Sequence, residues 1–266
     1  MSRAEPMALS AEAGGRAQAL GRELASLSDA DLAGALEFAL EARRGGPLIR
    51  APRERVVREI ALAQRLDGAV QRHLNVAAGK AYAGRHPKHW LWVSHKRWIL
   101  DRVRPGERVL DIGCGSSAYL LWMAEMGCRV TGCDLDPERI ALARRTMSHE
   151  NLGFEVRDVT RDPPGESFDV VICSHVIEHL DEPVPLLRAL GRCAPRLIGA
   201  VPPEDSRWQK VMYRDLGLRW KDDEDHRREY TPALLREQLV AGGWRVDELH
   251  DGIDIKCAAT WAGGAA

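Results

Sequence analysis

No two of the six cysteines in this 266-residue chain are spaced C-x-x-C, so no paired-thiol motif is present. Nowhere does the chain approach about 18 uncharged apolar residues in a row, so no transmembrane helix is expected. The first twenty residues carry Arg3, Glu5, Glu12 and Arg16 where a secretory signal would need an apolar run. Cys114, Cys128, Cys133, Cys173, Cys193 and Cys257 are therefore read as reduced thiols of a cytoplasmic protein, several acting as small hydrophobes in apolar runs. No internal repeat and no recognised RNA-binding motif is visible. Overall charge is also lacking, at −1.

What is present is ordinary globular composition, 45% hydrophobic and 29% charged, enough for one large α/β domain and an appendage. The small net charge hides an uneven spread. Residues 43–104 hold fifteen Lys or Arg against four acids, a balance of +11 that leaves −12 for the rest. Such a segment suits an anionic partner, and equally a solvated helical face compensated at a distance.

Residues 1–20 are Ala/Gly-rich and polar, a loose tail. Ser28 and Asp31 open a helix through Leu32, Leu36 and Leu40, stopped at Gly45-Gly46-Pro47. A second helix starts near Pro52, with Leu62, Leu66, Val70 and Leu74 four residues apart. A third covers Pro87 to Val103 and carries Trp90, Trp92 and Trp98. Residues 21–104 are expected to form a helical cap. From Glu107 onward short apolar runs alternate with helical patterns. Strands are predicted at 108–112, 129–133, 153–157, 168–173, 196–201, 244–249 and 253–259, and helices at about 117–126, 137–147, 183–192 and 232–241. Residues 105–266 thus read as a doubly wound, mostly parallel sheet of an α/β domain. The short turn at Asp251-Gly252 joins antiparallel neighbours, which predicts one reversed edge strand.

The first strand runs into Asp111-Ile-Gly113-Cys-Gly115. Gly113 and Gly115 permit a tight turn and close approach of a ligand. Asp134 ends the second strand nineteen residues later, where a carboxylate accepts both hydroxyls of an adenosine ribose. That ribose belongs to NAD and to S-adenosylmethionine (SAM) alike. Asp111 separates them: an acid beside the turn repels a pyrophosphate but suits the cationic sulfonium and amino group of SAM. Asp158 ends the third strand and offers an acceptor for the adenine amine. Each acid alone is ordinary as a cap or turn residue; three at strand carboxyl ends mark a ligand edge.

Val109-Leu-Asp-Ile-Gly-Cys-Gly115, Gly132-Cys-Asp-Leu-Asp136, Arg157-Asp158-Val159 and Phe168-Asp-Val-Val-Ile-Cys-Ser-His-Val-Ile-Glu-His-Leu180 together resemble the class I SAM-dependent methyltransferases over about residues 105–260. The resemblance implies a seven-stranded Rossmann-like sheet with the last strand antiparallel. It implies SAM as cofactor, with S-adenosylhomocysteine as product. It implies that Gly113 and Gly115 shape the SAM turn, Asp134 holds the ribose and Asp158 with Val159 the adenine; Asp111, Leu135 and Ser174 are also expected around the cofactor.

His175-Val-Ile-Glu178-His179 follows the fourth strand. The string also matches an inverzincin signature, but that needs a long zinc helix rather than a strand end. One reading makes His175 or His179 the general base that takes a proton from an acceptor hydroxyl. Another compares the string with E-x-x-E-H of the small-RNA 2′-O-methyltransferases and ubiquinone-pathway O-methyltransferases, where acids and His bind a divalent ion. Here His175 replaces the first Glu, which disfavours hard Mg²⁺, so a metal is possible but not expected. His226 could complete such a site. A third reading lets the histidines only satisfy and orient loops. Trp208, His226 and Arg228 are expected at the acceptor wall, with Val201–Trp208 forming part of it.

These readings converge on SAM-dependent methylation, of oxygen in a small molecule or glycan. RNA 2′-O-methylation through the basic segment 43–104 and a non-catalytic SAM-binding regulator stand as alternatives; an NAD-dependent dehydrogenase is disfavoured by Asp111. Oligomeric state and the acceptor's identity are not legible, and no membrane partner is expected.

Overall fold

A computed structural model describes residues 52–81 and 95–263, apart from 163, 206, 222 and 224. The expected tail, the helix through Leu32–Leu40, and Trp90 and Trp92 lie outside these residues. The chain divides into two compact units, Met1–Leu91 and Trp92–Ala266. In the first, α1 (Arg53–Ala81) starts directly after Pro52 with Glu54 in its first turn. An acid there complements the positive end of the helix dipole. Of its expected apolar stripe only Leu62 is fully buried; Val70 and Leu74 are about half exposed.

The second unit starts earlier than position 105. Residues 95–100 are helical, and Ile99 and Val103 are buried in the same apolar cluster as Val109 and Ile172. Ile99 lies on that helix and Val103 in the turn that follows it, so the segment packs into the sheet's own core.

The sheet is built from β1 (Arg108–Ile112), β2 (Arg129–Asp134), β3 (Leu152–Val156), β4 (Val170–Ser174), β5 (Arg196–Val201), β6 (Trp244–His250) and β7 (Ile255–Trp261). Between them lie α2 (Tyr119–Glu125), α3 (Pro137–Thr146), α4 (Pro183–Cys193), α5 (Trp208–Asp215) and α6 (Pro232–Ala241). The spatial order is β3-β2-β1-β4-β5-β7-β6. All seven expected strands form, and α5 is the one helix here that the periodicity did not reveal. The single reversed strand is β7, antiparallel to both β5 and β6. It is not at the edge, as expected, but one strand inside it. A short hairpin demands only that β6 and β7 oppose one another; β7 is the more thoroughly buried partner and takes the inner position.

Side chains alternate across the sheet and feed two cores. Val109, Val170, Ile172 and Ile198 enter one with Leu120, Met123 and Ile140. Leu110, Ile112, Val171, Cys173 and Leu197 enter the other with Leu187, Leu190 and Leu239. Both faces are covered, which explains why the central strands read as continuous apolar runs. Trp244, fully buried, donates its indole N–H to the Leu187 carbonyl at 2.8 Å. All six cysteines are buried and free, in line with their reading as small hydrophobes.

Leu190 is fully buried where α4 meets the sheet. Replacing Leu190 with Ala is expected to destabilise the fold by about 2–5 kcal/mol, read as a lowered midpoint in urea denaturation with an unchanged slope.

Candidate functional site

The strand order reverses between β1 and β4, and a cleft of about 630 Å³ opens at the carboxyl ends of the strands beside this point. That is where an open α/β sheet leaves room for a ligand, because neighbouring crossovers there depart to opposite faces. The cleft brings together Gly113, Gly115, Asp134, Leu135, Asp158, Val159, Ser174, His175, His179 and His226.

Its first wall is the turn after β1. Gly113 and Gly115 hold φ of 64° and 54°, backbone that a Cβ disfavours. A Cβ on Gly113 would lie 2.6 Å from Val176, whereas one on Gly115 would meet nothing within 4 Å. Asp134 ties this turn to the next. Its Oδ2 accepts the Gly115 N–H and its Oδ1 the Asp136 N–H, both at 2.9 Å. Asp136 in turn caps α3, accepting from Glu138 and Arg139 main-chain nitrogens. Asp158 stands 30% exposed at the rim, and the Thr160 hydroxyl bonded to it holds its carboxyl below the usual range.

Asp111 does not line the cleft. It is buried beneath the glycine turn, where its Oδ2 accepts the Tyr119 hydroxyl at 2.7 Å. Oδ1 has no hydrogen-bond partner among the described residues. Burial pushes this carboxyl up to about 7, against the opposing Tyr119 hydrogen bond and with help from the nearby Asp134 charge.

The second wall follows β4. His175 adopts φ 56°, the one left-handed residue other than glycine among the described residues. This single reversed residue precedes a 3-10 turn over Ile177–His179 and splits the histidine string in two. His175 faces one way, with Nδ1 3.2 Å from Glu178 Oε1 and Nε2 3.5 Å from Asp254 Oδ1. Burial opposes protonation of His175, but the hydrogen bond to Glu178 and the charges of Glu178 and Asp254 prevail and raise its pKa. Asp254 also reaches His95, whose Nδ1 is 3.3 Å from Oδ2 and whose Nε2 is 3.1 Å from Ser174 Oγ. Burial works against ionisation of Asp254, yet His95, His175 and Lys256 keep its carboxyl below the usual range.

His179 faces the other way. Its ring packs edge-on to His226 at 4.8 Å, and Nδ1 lies 3.3 Å from Asp225 Oδ2. Donor atoms of Glu178, His179 and His226 fall within 4.8 Å of one another, a spacing able to hold a metal ion. Glu178 is fully buried, with Oε1 facing His175 Nδ1 and Oε2 without a hydrogen-bond partner among the described residues. His175 is not in that group, so the four-residue analogue of E-x-x-E-H is not assembled.

The expected acceptor wall differs. Trp208 begins α5 and is 70% exposed, outside the cleft. Val201, Pro202 and Pro203 are buried, and Pro203 pairs with Tyr230 as an isolated bridge. Arg228 donates to the Asp181 carbonyl instead of facing the cleft. Residues from the 223–226 loop take their place. That loop is anchored by the fully buried Lys210–Glu229 ion pair, with Lys210 also donating to the Pro203 carbonyl at 2.7 Å.

His95, Asp225, Asp254 and Lys210 were not foreseen. A signal existed for Asp254, since a hairpin after β6 must sit at the carboxyl edge. Nothing in the local spacing pointed to His95 or Lys210.

Two outcomes are expected. Lys210→Ala removes the cation beside the buried Glu229 and leaves His226 Nδ1 at 3.4 Å facing it, which should cost about 3–5 kcal/mol in thermal unfolding. Asp111 has a folded pKa of about 7, above the unfolded 3.8. The folded state therefore binds the extra proton between these values, and stability falls as pH rises through that window. Asp111→Asn should flatten this fall, measured by urea denaturation at a series of pH values.

Residues 110–195 match the methyltransferase-domain family. The ubiquinone biosynthesis O-methyltransferase of Xanthomonas campestris is 38% identical over 109 residues, covering 39% of this chain and 45% of that protein. The chain thus matches about half the length of that relative. The protein of the same name from Aeromonas salmonicida is 27% identical over 178 residues, 61% of this chain and 74% of that one. Among solved structures, the magnesium protoporphyrin IX methyltransferase of Synechocystis PCC 6803 with bound S-adenosylhomocysteine superposes with a TM-score of 0.51 at 22% identity, over 64% of this chain and 81% of that one. A SAM-dependent methyltransferase of Aquifex aeolicus gives 0.51 at 19% identity, over 62% and 89%. With the strand order and the glycine turn in agreement, the chain has the fold of class I, SAM-dependent methyltransferases, and its residues 110–195 match the methyltransferase-domain family.

Proposed function

We propose that this protein transfers a methyl group from SAM to an oxygen of a small-molecule acceptor. The observation that carries this reading is one continuous cleft. The Asp134-bridged glycine turn forms one wall and a carboxylate-oriented histidine, His179, stands on the other. Relatives named as ubiquinone biosynthesis O-methyltransferases support oxygen as the acceptor atom and a small molecule as its carrier.

The residues present fit the cofactor. Asp134 retains lone pairs on both oxygens beyond its two backbone bonds, available to ribose hydroxyls. Gly115 leaves open space where a side chain would intrude. The unpartnered Asp111 Oδ1 supplies negative charge under the turn, where a cationic group would favour its ionised form. SAM, when bound, supplies an activated methyl on its sulfonium. The chain's task is to align an acceptor oxygen and remove its proton.

His179 is the better placed base. Asp225 lies 3.3 Å from Nδ1, and a carboxylate there favours the Nδ1–H tautomer that leaves Nε2 to accept a proton. His175 has carboxylates at both nitrogens, an arrangement that favours imidazolium over a proton acceptor. Between the two histidines singled out in the sequence, geometry favours the second.

Asp134→Ala should abolish most SAM affinity in calorimetry, and unchanged affinity would refute the cofactor site. His179→Ala should lower turnover by about 10²–10⁴-fold with SAM affinity nearly unchanged. Labelled methyl supplied to a fractionated extract should enter small molecules. Label lost from polymer on ribonuclease treatment would instead favour RNA as acceptor.

A further inference from the structure

We propose that His95, His175 and Asp254 form a binding site for one divalent transition-metal ion of the zinc class, separate from Glu178, His179 and His226. The inference does not rest on the proposed methyl transfer.

Three distant parts of the chain deliver these residues: the 95–100 helix, the end of β4 and the hairpin before β7. Their donor atoms lie within 4.8 Å of one another. The two nitrogen-to-oxygen separations are 3.3 and 3.5 Å, His95 Nδ1 to Asp254 Oδ2 and His175 Nε2 to Asp254 Oδ1. Both exceed the usual range for hydrogen bonds of this kind. Each is close to the roughly 3.3–3.4 Å between two ligands held about 2.0–2.1 Å from one zinc ion, with Asp254 facing the two rings through its two different oxygens.

The surroundings add a second, independent feature. A metal-bound histidine normally has its other ring nitrogen held by a hydrogen-bond partner, which fixes the ring. Both histidines here have one. His95 Nε2 lies 3.1 Å from Ser174 Oγ, and His175 Nδ1 lies 3.2 Å from Glu178. The left-handed φ of His175 is a further sign that the backbone is held to aim this ring. A metal ion displaces the proton that the carboxylates hold on His175, and Asp254 and Glu178 then present two negative charges, the amount a divalent ion cancels.

Two imidazoles and one carboxylate suit a borderline ion such as Zn²⁺ far better than Mg²⁺ or Ca²⁺. His95 and His175 line the cleft, so a three-residue site would keep an open position towards it. Three protein ligands with one open position is the pattern of zinc sites that bind a reacting oxygen rather than of purely structural ones.

The test uses the full chain, stripped of metal with a chelator and checked for folding by circular dichroism. Titration with Co²⁺, a spectroscopic stand-in for zinc, should give visible bands that saturate at one ion per chain and are displaced by Zn²⁺. His95→Ala and Asp254→Ala should abolish the bands while His226→Ala keeps them. Glu178→Gln, which weakens the outer partner of His175, should lower affinity by about 10–100-fold in a protein whose bands survive His226→Ala. Should the alanine variants lose their fold, His95→Gln and Asp254→Asn give the same reading with less disturbance of packing. Absence of bands in the folded wild type overturns the proposal and leaves Asp254 as a hydrogen-bonding clamp. Bands lost in His226→Ala but retained in His95→Ala also overturn it, placing the ion at Glu178, His179 and His226.

Discussion

Parallel strands all end at the same edge, and the architecture of this molecule depends on how that edge is closed. Its loops carry backbone donors that have no strand to pair with, so side chains must receive them. Asp134 does this for two loops at once, accepting from the turn after β1 and from its own turn before α3. Hydrogen bonds to a charged group contribute about 1.5–3 kcal/mol each. The same carboxylate therefore sets the shape of the glycine turn and offers its remaining lone pairs to the cleft. Stability and binding are drawn from one group.

Charge is concentrated around this edge in a way that burial alone would not favour. Asp111 and Glu178 are buried with unsatisfied oxygens, and Asp254 is mostly buried between two imidazoles. Uncompensated groups of this kind cost free energy on folding. They persist beside a cleft lined by four histidines, His95, His175, His179 and His226. His175 adds backbone strain of about 1–3 kcal/mol. Such local costs collected at one edge are the physical signature of a site shaped for ligands rather than for stability.

Residues of the carboxyl-terminal third complete that site. The buried Lys210–Glu229 pair ties α5 to the loop that carries Asp225 and His226. The inner position of β7 places Ile255 opposite Val201 of β5, while Ser174 of β4 faces Ala200 of the same strand. Asp254 therefore lies two strands from His175, roughly 10 Å across the sheet, within reach of two side chains meeting between them. Had β6 taken the inner place, this pairing would not arise.

The amino-acid sequence by itself determined what short-range order encodes. Short apolar runs specified the seven strands, helical spacing specified most helices, and Gly113, Gly115, Asp134 and Asp158 were legible because each falls within a few residues of a strand end. Backbone sterics and alternation act over that range, so spacing carries the information. The placement of Trp208 and Arg228, the division of His175 from His179, and the arrival of His95, Asp225 and Asp254 were decided by tertiary structure. One left-handed residue, His175, turns the histidine string into two halves that face opposite ways. The contact between His95 and Ser174 spans 79 positions. Which strand pairs with which, and therefore which distant side chains meet, is settled by competition for burial across the whole sheet, and no local spacing records its result.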